Sequence, residues 1–270
     1  MTKTYEQQVV MKDISSKSLI YVVPLADFHL GQPGANVEVI KGYIDWIAER
    51  DNAYTILNGD IMNCAGKDTV FDLWDDLRTP DDVYYKDVLP LLTPIKEKIL
   101  FLTRGNHEDA LYRKSGVDFM AHLAHDLGDI PYKPNGGMVA IKLGKNIHRG
   151  LVTIYATHGW GGARTIGAKV KKVDELVMAV EADCYVLSHD HTQAIHRTNR
   201  LVMPKSRLGS EKVYLKVSRQ LLINSGGFIS YSGYIQKKGY SPQDMGTPRI
   251  RIEFKKNKEN DYHFDLHASA

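Results

Sequence analysis

Five short polar segments, each following an apolar stretch, constrain the fold of this chain more than any other feature. The apolar stretches, such as Leu19–Leu25, 53–57 and 98–103, are typical of strands that are buried on both faces. The polar segments read DFHLG from Asp27, NGD from Asn58, RGNHE from Arg104, HG from His158 and HDH from His189. Because the carboxyl ends of strands in an open α/β sheet lie at one edge, we expect these segments to converge in space.

The remaining pattern predicts one α/β domain over residues 1–270. Helices are predicted at 37–51, 116–127 and 170–180, and further strands at 151–157 and 182–187. Residues 212–217, 220–224 and 249–254 alternate in the manner of antiparallel strands, so a more antiparallel part is expected from about residue 200. An insertion around residues 64–96 is the least strand-like part and is predicted to be helical. This mixture fits two packed sheets flanked by helices.

The composition is that of an ordinary globular protein. Of the 270 residues, 43% are hydrophobic and 25% are charged. The formal net charge of +3 gives no global attraction to nucleic acid. The two cysteines, Cys64 and Cys184, form no close pair, as expected for reduced thiols. The polar first twelve residues lack a secretory signal and no stretch is apolar enough to span a membrane, so we expect a cytoplasmic protein.

The polar segments carry the donor atoms of a metal site. They contain carboxylates, imidazoles and one carboxamide, which are oxygen and nitrogen ligands suited to divalent metals. Two cations roughly 3.5–4 Å apart can share one carboxylate, lower the pKa of a bound water and bind the oxygens of a phosphoryl group. Such a centre needs several donors from separate strands, and this chain has them. The sequence therefore predicts a two-metal hydrolase whose substrate is a phosphate ester.

The order of these segments resembles that of a known superfamily. The pattern DxH, GDxx(D/N), GNH(D/E), H and HxH runs from Asp27 to His191 and is similar to the calcineurin-like metallophosphoesterases. The RGNHE block is the most specific part of the match, and the HGWGG loop is most similar to the compact phage or prophage branch. The resemblance implies a four-layer α/β/β/α sandwich of two mixed sheets with a dinuclear metal centre.

The resemblance also implies a role for each residue. The ligands of the first metal would be Asp27, His29 and His191. The ligands of the second metal would be Asn106, His158 and His189. Asp60 would bridge both ions and so take part in catalysis. His107 would be the acid that protonates the leaving-group oxygen.

Two positions depart from the family pattern. Ser188 stands where the family usually has a glycine before the first histidine of the last segment. Asn63 stands where protein serine/threonine phosphatases have the aspartate of a DRG extension. An asparagine can form a hydrogen bond with His107, but it stabilises the protonated imidazole less than a carboxylate does. The arginine of that extension, a phosphate ligand, is also missing, which disfavours a protein phosphatase.

Two arginines are candidates for substrate binding. Arg104 precedes the GNH turn and could bind a phosphate through two hydrogen bonds, or form a structural salt bridge. Arg164 follows the glycine-rich loop and could close over a phosphate, or be an ordinary surface residue. Trp160 lies in that loop, and for this residue packing is favoured over stacking on a nucleobase.

The function predicted first is that of a phosphodiesterase, in which a hydroxide bridging the metals attacks the phosphorus of a nucleic acid or nucleotide substrate. The missing arginine and an open cleft between two sheets favour a substrate whose phosphate carries a second ester substituent. A phosphomonoesterase acting on nucleotides or phosphoproteins is the alternative. A metal-binding scaffold without activity is the alternative of another class, which the full set of competent donors disfavours.

The cofactor is predicted to be two divalent ions, with Mn²⁺ favoured over Fe, Zn²⁺, Co²⁺ or Ni²⁺. The sequence leaves the oligomeric state open.

Overall fold

The computed structural model describes residues 9–64, 78–145, 148–163, 165–203, 215–231, 236, 239, 241–256 and 262–270. Its strands, in chain order, are β1 (Val9–Asp13), β2 (Leu19–Leu25), β3 (Ala53–Asn58), β4 (Ile99–Thr103), β5 (Gly137–Lys145), β6 (His148–Thr157), β7 (Cys184–Leu187), β8 (Gln193–Val202), β9 (Lys216–Ser225), β10 (Arg249–Lys256) and β11 (Tyr262–Ser269). Its α-helices are α1 (Val37–Ala48), α2 (Pro80–Val83), α3 (Leu89–Leu92), α4 (Asn106–Ser115), α5 (Phe119–Asp126) and α6 (Ile166–Ala179).

These strands form two mixed sheets. One has the order β1-β5-β6-β7-β9-β8 and the other has the order β11-β10-β2-β3-β4. The pairs β2–β3, β3–β4, β6–β7 and β7–β9 are parallel. The pairs β5–β6, β8–β9, β2–β10 and β10–β11 are antiparallel. The strands that end at the polar segments, β2, β3, β4, β6 and β7, all belong to these parallel pairs.

The packing of these sheets gives four layers. Apolar side chains of both sheets, among them Ile20 and Val22 of β2, pack together between the sheets. The next residues of the same strand, Val23 and Leu25, face the opposite side, where α1 packs. On the outer face of the six-stranded sheet, Val173 of α6 belongs to a separate apolar cluster. The α/β/β/α sandwich predicted from the sequence is thus confirmed, and β2 is apolar throughout because both of its faces are buried.

The insertion is helical over its described part. A π-helical turn (Tyr84–Val88) connects α2 to α3, and a 3₁₀ helix (Thr93–Lys98) follows α3. Lys98 therefore ends a helix rather than beginning β4, and its Nζ donates to the carbonyl oxygens of Ile47, Ala48 and Arg50 at the C-terminal end of α1. Residues 65–77, the first part of the insertion, lie outside the described residues.

Helix α4 is the main element that the sequence pattern did not predict. It begins at Asn106, inside the RGNHE segment, and ends at Ser115, before the capping residue Gly116, which has a left-handed φ of 76°. The carboxylate of Glu108 accepts a hydrogen bond from the backbone N–H of Gly105, which caps the first turn. Helix α5 begins three residues later than predicted, at Phe119, because Asp118 accepts from the N–H of Ala121 and caps it.

Strands β1, β5, β8 and β11 were also not predicted. Strand β8, for example, alternates between half-buried and exposed positions and lies at an edge of its sheet. Edge strands need little apolar surface, so hydrophobic patterning is a weak signal for them. In the part of the chain that the structure describes, no helix has the length and apolar character needed to cross a membrane.

Candidate metal centre

The five polar segments meet at the carboxyl ends of β2, β3, β4, β6 and β7. The pairing of β2 with β3 continues beyond both strands. The N–H of Asp27 donates to the backbone carbonyl oxygen of Gly59, and the N–H of His29 donates to that of Asp60. Side-chain donor atoms lie within 4.8 Å of one another in three groups: Asp27, His29 and His191; His29, Asp60 and His107; and Asp60, His158 and His189. The convergence expected from the sequence is therefore present.

The two aspartates are held in the same way. Asp27 Oδ2 accepts from the backbone N–H of His189 at 3.0 Å, and Asp60 Oδ1 accepts from the backbone N–H of His107 at 2.9 Å. The other oxygen of each carboxylate faces imidazoles: Asp27 Oδ1 lies 3.3 Å from His191 Nε2, and Asp60 Oδ2 lies 3.2 Å from His158 Nε2. Each aspartate thus fixes the backbone of another segment with one oxygen and presents the second oxygen to the centre.

Backbone carbonyls fix the orientation of two histidines. His158 Nδ1 lies 2.8 Å from the carbonyl oxygen of Asn58, so this nitrogen carries a proton and Nε2 faces the centre. In His189 the roles of the nitrogens are exchanged, because Nε2 lies 2.7 Å from the carbonyl oxygen of Gly161. The remaining nitrogens, His158 Nε2 and His189 Nδ1, lie 3.1 and 2.7 Å from the same atom, Oδ1 of Asn106. The three predicted ligands of the second metal thus face a common point.

His107 lies on the same side of Asp60 as His29. Its Nδ1 donates to the backbone carbonyl of Asn63 at 2.6 Å, which leaves Nε2 directed at the centre, 3.8 Å from Asp60 Oδ2. The sequence analysis expected Asn63 to contact His107, and the contact is through the main chain. A carbonyl group at this position holds the ring whether residue 63 is asparagine or aspartate. The ring of His107 also makes an edge contact with the ring of His29, with centroids 4.4 Å apart.

The backbone of the site is strained. Five of the predicted ligands have a left-handed φ, between 47° and 72°: Asp27, His29, Asp60, His189 and His191. Outside glycine this conformation is uncommon, and such residues cost of order 1–3 kcal/mol each. Strain concentrated in the ligand loops of strands that are otherwise regular indicates that side-chain placement, rather than backbone preference, determines these turns.

Two glycines permit the close approach of the loops. A Cβ on Gly105 would lie 2.1 Å from Oδ1 of Asp60, and a Cβ on Gly59 would lie 2.5 Å from the backbone nitrogen of Gly105. Gly59 also has a positive φ of 83°. No other residue fits at Gly105 without moving the carboxylate of Asp60, or at Gly59 without moving the backbone of Gly105.

Glu108 is a positioning residue to which the sequence analysis gave no role. Its buried carboxylate accepts hydrogen bonds from the N–H groups of Asp60, Met62 and Gly105, each at 3.0 Å. It therefore joins the loop after β3 to the start of α4. Burial and the neighbouring Asp60 carboxylate raise the pKa of Glu108 to about 7, against the effect of the backbone donors. The signal was present, since a glutamate three residues after a glycine at a helix start is a capping pattern.

Ser188 takes part in a buried network. Its Oγ lies 2.7 Å from Nδ2 of Asn58 and 2.8 Å from Oγ of Ser225. Asn58 also donates to the carbonyl of Thr157 and accepts from the hydroxyl of Thr103. The departure from glycine at position 188 thus adds a hydroxyl that connects the ends of three strands, and it leaves His189 in place.

Two lysines of α6 hold the last ligand segment. Lys169 is buried, and its Nζ donates to the carbonyl of Asp190 at 2.8 Å and to Thr192 Oγ1 at 2.7 Å. Lys172 Nζ donates to the carbonyl of Trp160 at 2.7 Å and to Asp190 Oδ1 at 3.1 Å. The carboxylate of Asp190 therefore points away from the centre, towards α6.

Comparison with known proteins agrees with this arrangement. The model of the family described as calcineurin-like phosphoesterase matches residues 21–193, which contain all the ligand segments. The chain belongs to the calcineurin-like phosphoesterase family. A search of curated proteins found no match.

Solved structures match most of the chain at low sequence identity. A predicted phosphoesterase from Streptococcus pneumoniae TIGR4 is 12% identical, with 93% of this chain and 98% of that chain covered and a TM-score of 0.37. A metallophosphoesterase from Sphaerobacter thermophilus is 12% identical, with 93% and 89% covered and a TM-score of 0.40. Vps29 of Chaetomium thermophilum is 8% identical, with 93% and 95% covered and a TM-score of 0.38.

The residues fit the divalent metals that this family implies. Asp27 Oδ1 and His29 Nδ1 are buried and have no hydrogen-bond partner among the described residues. His29 Nε2 and His191 Nε2 lie 3.3 Å apart, although at most one of the two can donate a proton to the other. Unsatisfied acceptors of this kind are costly without a cation. Two carboxylates, four imidazoles and a carboxamide form a mixed donor set that suits borderline divalent metals.

Burial sets the protonation of these groups. It lowers the pKa of His29 well below its usual value and lowers that of His191 to about 3, so both imidazoles are neutral and can act as ligands near pH 7. Burial also raises the pKa of Asp27, an effect to which the nearby Asp60 carboxylate adds. A cation between the two carboxylates would reverse that shift.

The structure describes one of the two arginines predicted to bind the substrate. Arg104 is nearly buried, with its guanidinium 2.8 Å from Asp109 Oδ1 and 2.9 Å from Asp118 Oδ2, and it lies over the ring of Tyr112. The structure thus contains the salt bridge that was the alternative for Arg104, and a phosphate contact stays a prediction. Arg164 lies outside the described residues.

Proposed function

We propose that this protein is a metal-dependent phosphodiesterase that hydrolyses nucleic acid or nucleotides. The observation that carries the proposal is the environment of Asp60 Oδ2. This buried oxygen faces the Nε2 atoms of His158, His29 and His107 at 3.2, 3.7 and 3.8 Å. A carboxylate surrounded by imidazole nitrogens from separate loops is the arrangement that two cations need in order to share a ligand.

The positions of the residues support the predicted roles. Asp27, His29 and His191 would hold one ion, while Asn106, His158 and His189 would hold the other. Bound ions would supply Lewis acidity, which polarises the phosphoryl oxygens and activates water at neutral pH. The negative charges of Asp27 and Asp60 would offset part of the positive charge of the cations.

His107 would act on the leaving group. In the reaction, the oxygen of water forms a bond to phosphorus, the bond from phosphorus to one ester oxygen breaks, and a proton is transferred to that oxygen. Nε2 of His107 faces the centre because Nδ1 donates to the carbonyl of Asn63. The proton that Nε2 carries in the imidazolium form would therefore face the departing oxygen, which makes His107 the proposed general acid.

A diester is favoured by the loop that follows β3. In this loop the segment GDIMNCA contains no arginine, so the phosphate contact typical of protein phosphatases is missing. A phosphate monoester carries one more negative charge than a diester and depends more on such a cation. The loss of the arginine therefore disfavours monoesters, including phosphoproteins.

A comparison of two chromogenic esters tests the proposal. Protein loaded with Mn²⁺, the ion we favour, would be assayed with bis-p-nitrophenyl phosphate and with p-nitrophenyl phosphate. We expect faster hydrolysis of the diester, and loss of both activities in Asp60→Asn. A strong preference for the monoester would overturn the diesterase assignment. Metal-loaded protein that hydrolyses neither ester, nor any member of a panel of DNA, RNA and nucleotides, would overturn the enzyme assignment and favour a scaffold.

A further inference from the structure

A cleft opens from one side of the metal centre. It has a volume of about 620 Å³, and its lining includes three of the predicted ligands, Asn106, His158 and His189. On the other side of the centre, the cavity in contact with His191 has a volume of only about 20 Å³. Sites that bind small organic ligands have volumes of about 300–1,000 Å³. Among the described residues, the wide cleft is therefore where a large substituent of a bound phosphate fits.

Trp160 forms one wall of this cleft. It is 49% exposed, although the sequence analysis favoured a packed side chain. The residues on either side of it, Gly159 and Gly161, have positive φ values of 101° and 80°. This backbone turns the indole outwards, two residues after the ligand His158. A large aromatic surface exposed beside a metal centre, within a cleft, indicates a ligand-binding role.

The loop that carries Trp160 is fixed on both sides. Lys172 donates to the carbonyl oxygen of Trp160 itself, at 2.7 Å. His189 donates through Nε2 to the carbonyl oxygen of the next residue, Gly161, also at 2.7 Å. The position of the indole is therefore tied to that of a predicted metal ligand. A ring held in this way loses little conformational entropy when a flat ligand stacks on it.

Other residues of the lining are charged. Arg104, Asp109 and Arg113 all line the cleft, and Arg104 is also paired with Asp118. The side chain of Arg113 is 77% exposed and lies 2.6 Å from Asp109 Oδ2. A cleft that contains an exposed aromatic ring and an exposed arginine suits an aromatic group attached to a phosphate.

We propose that Trp160 is the stacking surface of a nucleobase subsite in this cleft, so that the protein takes nucleoside phosphates rather than phosphate esters in general. The proposal deepens the proposed phosphodiesterase function and rests on it for the position of the phosphate. Trp160 would act on specificity and would not touch the reacting atoms. Its substitution should raise KM for nucleoside substrates and leave kcat largely unchanged.

Two ligands that differ only in the base test the subsite. Binding of adenosine 5′-monophosphate and of ribose 5-phosphate to the Mn²⁺-loaded protein would be measured by calorimetry. We expect tighter binding of the nucleotide, on the order of tenfold, as for one base stacked on an aromatic side chain. Trp160→Ala should remove this preference, whereas Trp160→Phe should keep part of it. Leu151→Ala is the matched control, because Leu151 is similarly exposed (51%) on β6, far along the strand from His158.

The outcomes separate this proposal from the one on which it rests. Equal affinity of the wild-type protein for the two ligands, or a preference that survives in Trp160→Ala with unchanged metal content, would overturn the subsite. If the same samples still hydrolyse bis-p-nitrophenyl phosphate, the phosphodiesterase function would stand without it. A base preference that depends on Trp160, in protein that hydrolyses no ester, would support the subsite and overturn the function.

Discussion

Nε2 of His158 lies 3.2 Å from Oδ2 of Asp60, while Nδ1 of the same ring donates to the carbonyl of Asn58. Burial opposes a charge on this imidazole, but the Asp60 carboxylate outweighs burial and raises the pKa of His158 to about 10. A proton on Nε2 therefore occupies the position from which this nitrogen would bind a metal.

The first prediction concerns pH. Because a metal must displace the proton on His158, binding should release about one proton, and affinity should fall as the pH is lowered, by up to about tenfold per unit. Calorimetry of Mn²⁺ binding in two buffers with different enthalpies of ionisation counts the protons that are released. Binding without proton release, with the same affinity at about pH 6 and about pH 8, would contradict the account of His158.

The second prediction concerns His107. Loss of a general acid typically lowers the rate by about 10²–10⁴-fold, and the loss is greater for poor leaving groups because they need the proton more. His107→Gln should therefore reduce hydrolysis of an alkyl ester more than that of a p-nitrophenyl ester, with metal content unchanged. His125→Gln is the control, since that side chain is 77% exposed and pairs only with Asp129 among the contacts of the described chain. Equal losses for both leaving groups would exclude proton donation by His107.

The third prediction concerns Glu108, which holds Asp60, Met62 and Gly105 by their N–H groups. In Glu108→Gln an amide NH₂ replaces one accepting oxygen and faces at least one of these donors. Removal of such a supporting group costs about 10–100-fold in metal affinity or activity. Metal titration and steady-state kinetics would measure the effect. Glu97→Gln, at an exposed position, should change neither quantity, and wild-type behaviour of Glu108→Gln would contradict the positioning role.

The fourth prediction concerns stability. Ser188→Ala removes the hydroxyl that lies between Asn58 and Ser225, and it leaves a buried amide donor with one partner fewer. The free energy of unfolding should fall by about 1–3 kcal/mol. Urea denaturation of the metal-free protein would measure it. Ser16→Ala, at an exposed position, should stay within about 0.5 kcal/mol of the wild type, and a similarly small change for Ser188→Ala would show that the network contributes little.

The sequence predicted the layers and the convergence of the ligand segments because both depend on local patterns. An apolar run such as Leu19–Leu25 indicates a strand covered on both faces, and polar residues directly after such runs must lie at one edge of the sheet. The segments at Asp27, Asp60 and His158 could therefore be placed together without knowledge of the register.

Other features depend on contacts between distant segments, which no local pattern reveals. The left-handed backbone at His29 and His191 results from tertiary packing, since residues other than glycine rarely adopt that conformation. The contact of His107 with the carbonyl of Asn63 is independent of the side chain at position 63, so sequence could not show it. Helix α4 was missed because its first turn coincides with a ligand segment that was interpreted as a loop.

The bridging role of Asp60 is tested most directly by counting metal ions. Wild-type protein and Asp60→Asn would be loaded with Mn²⁺, freed of excess metal and analysed for metal content, with circular dichroism to verify that both are folded. The account predicts about two ions per wild-type chain and at most one in Asp60→Asn, because a shared carboxylate holds both. Fewer than about one ion per wild-type chain, or the same content in a folded Asp60→Asn, would contradict it.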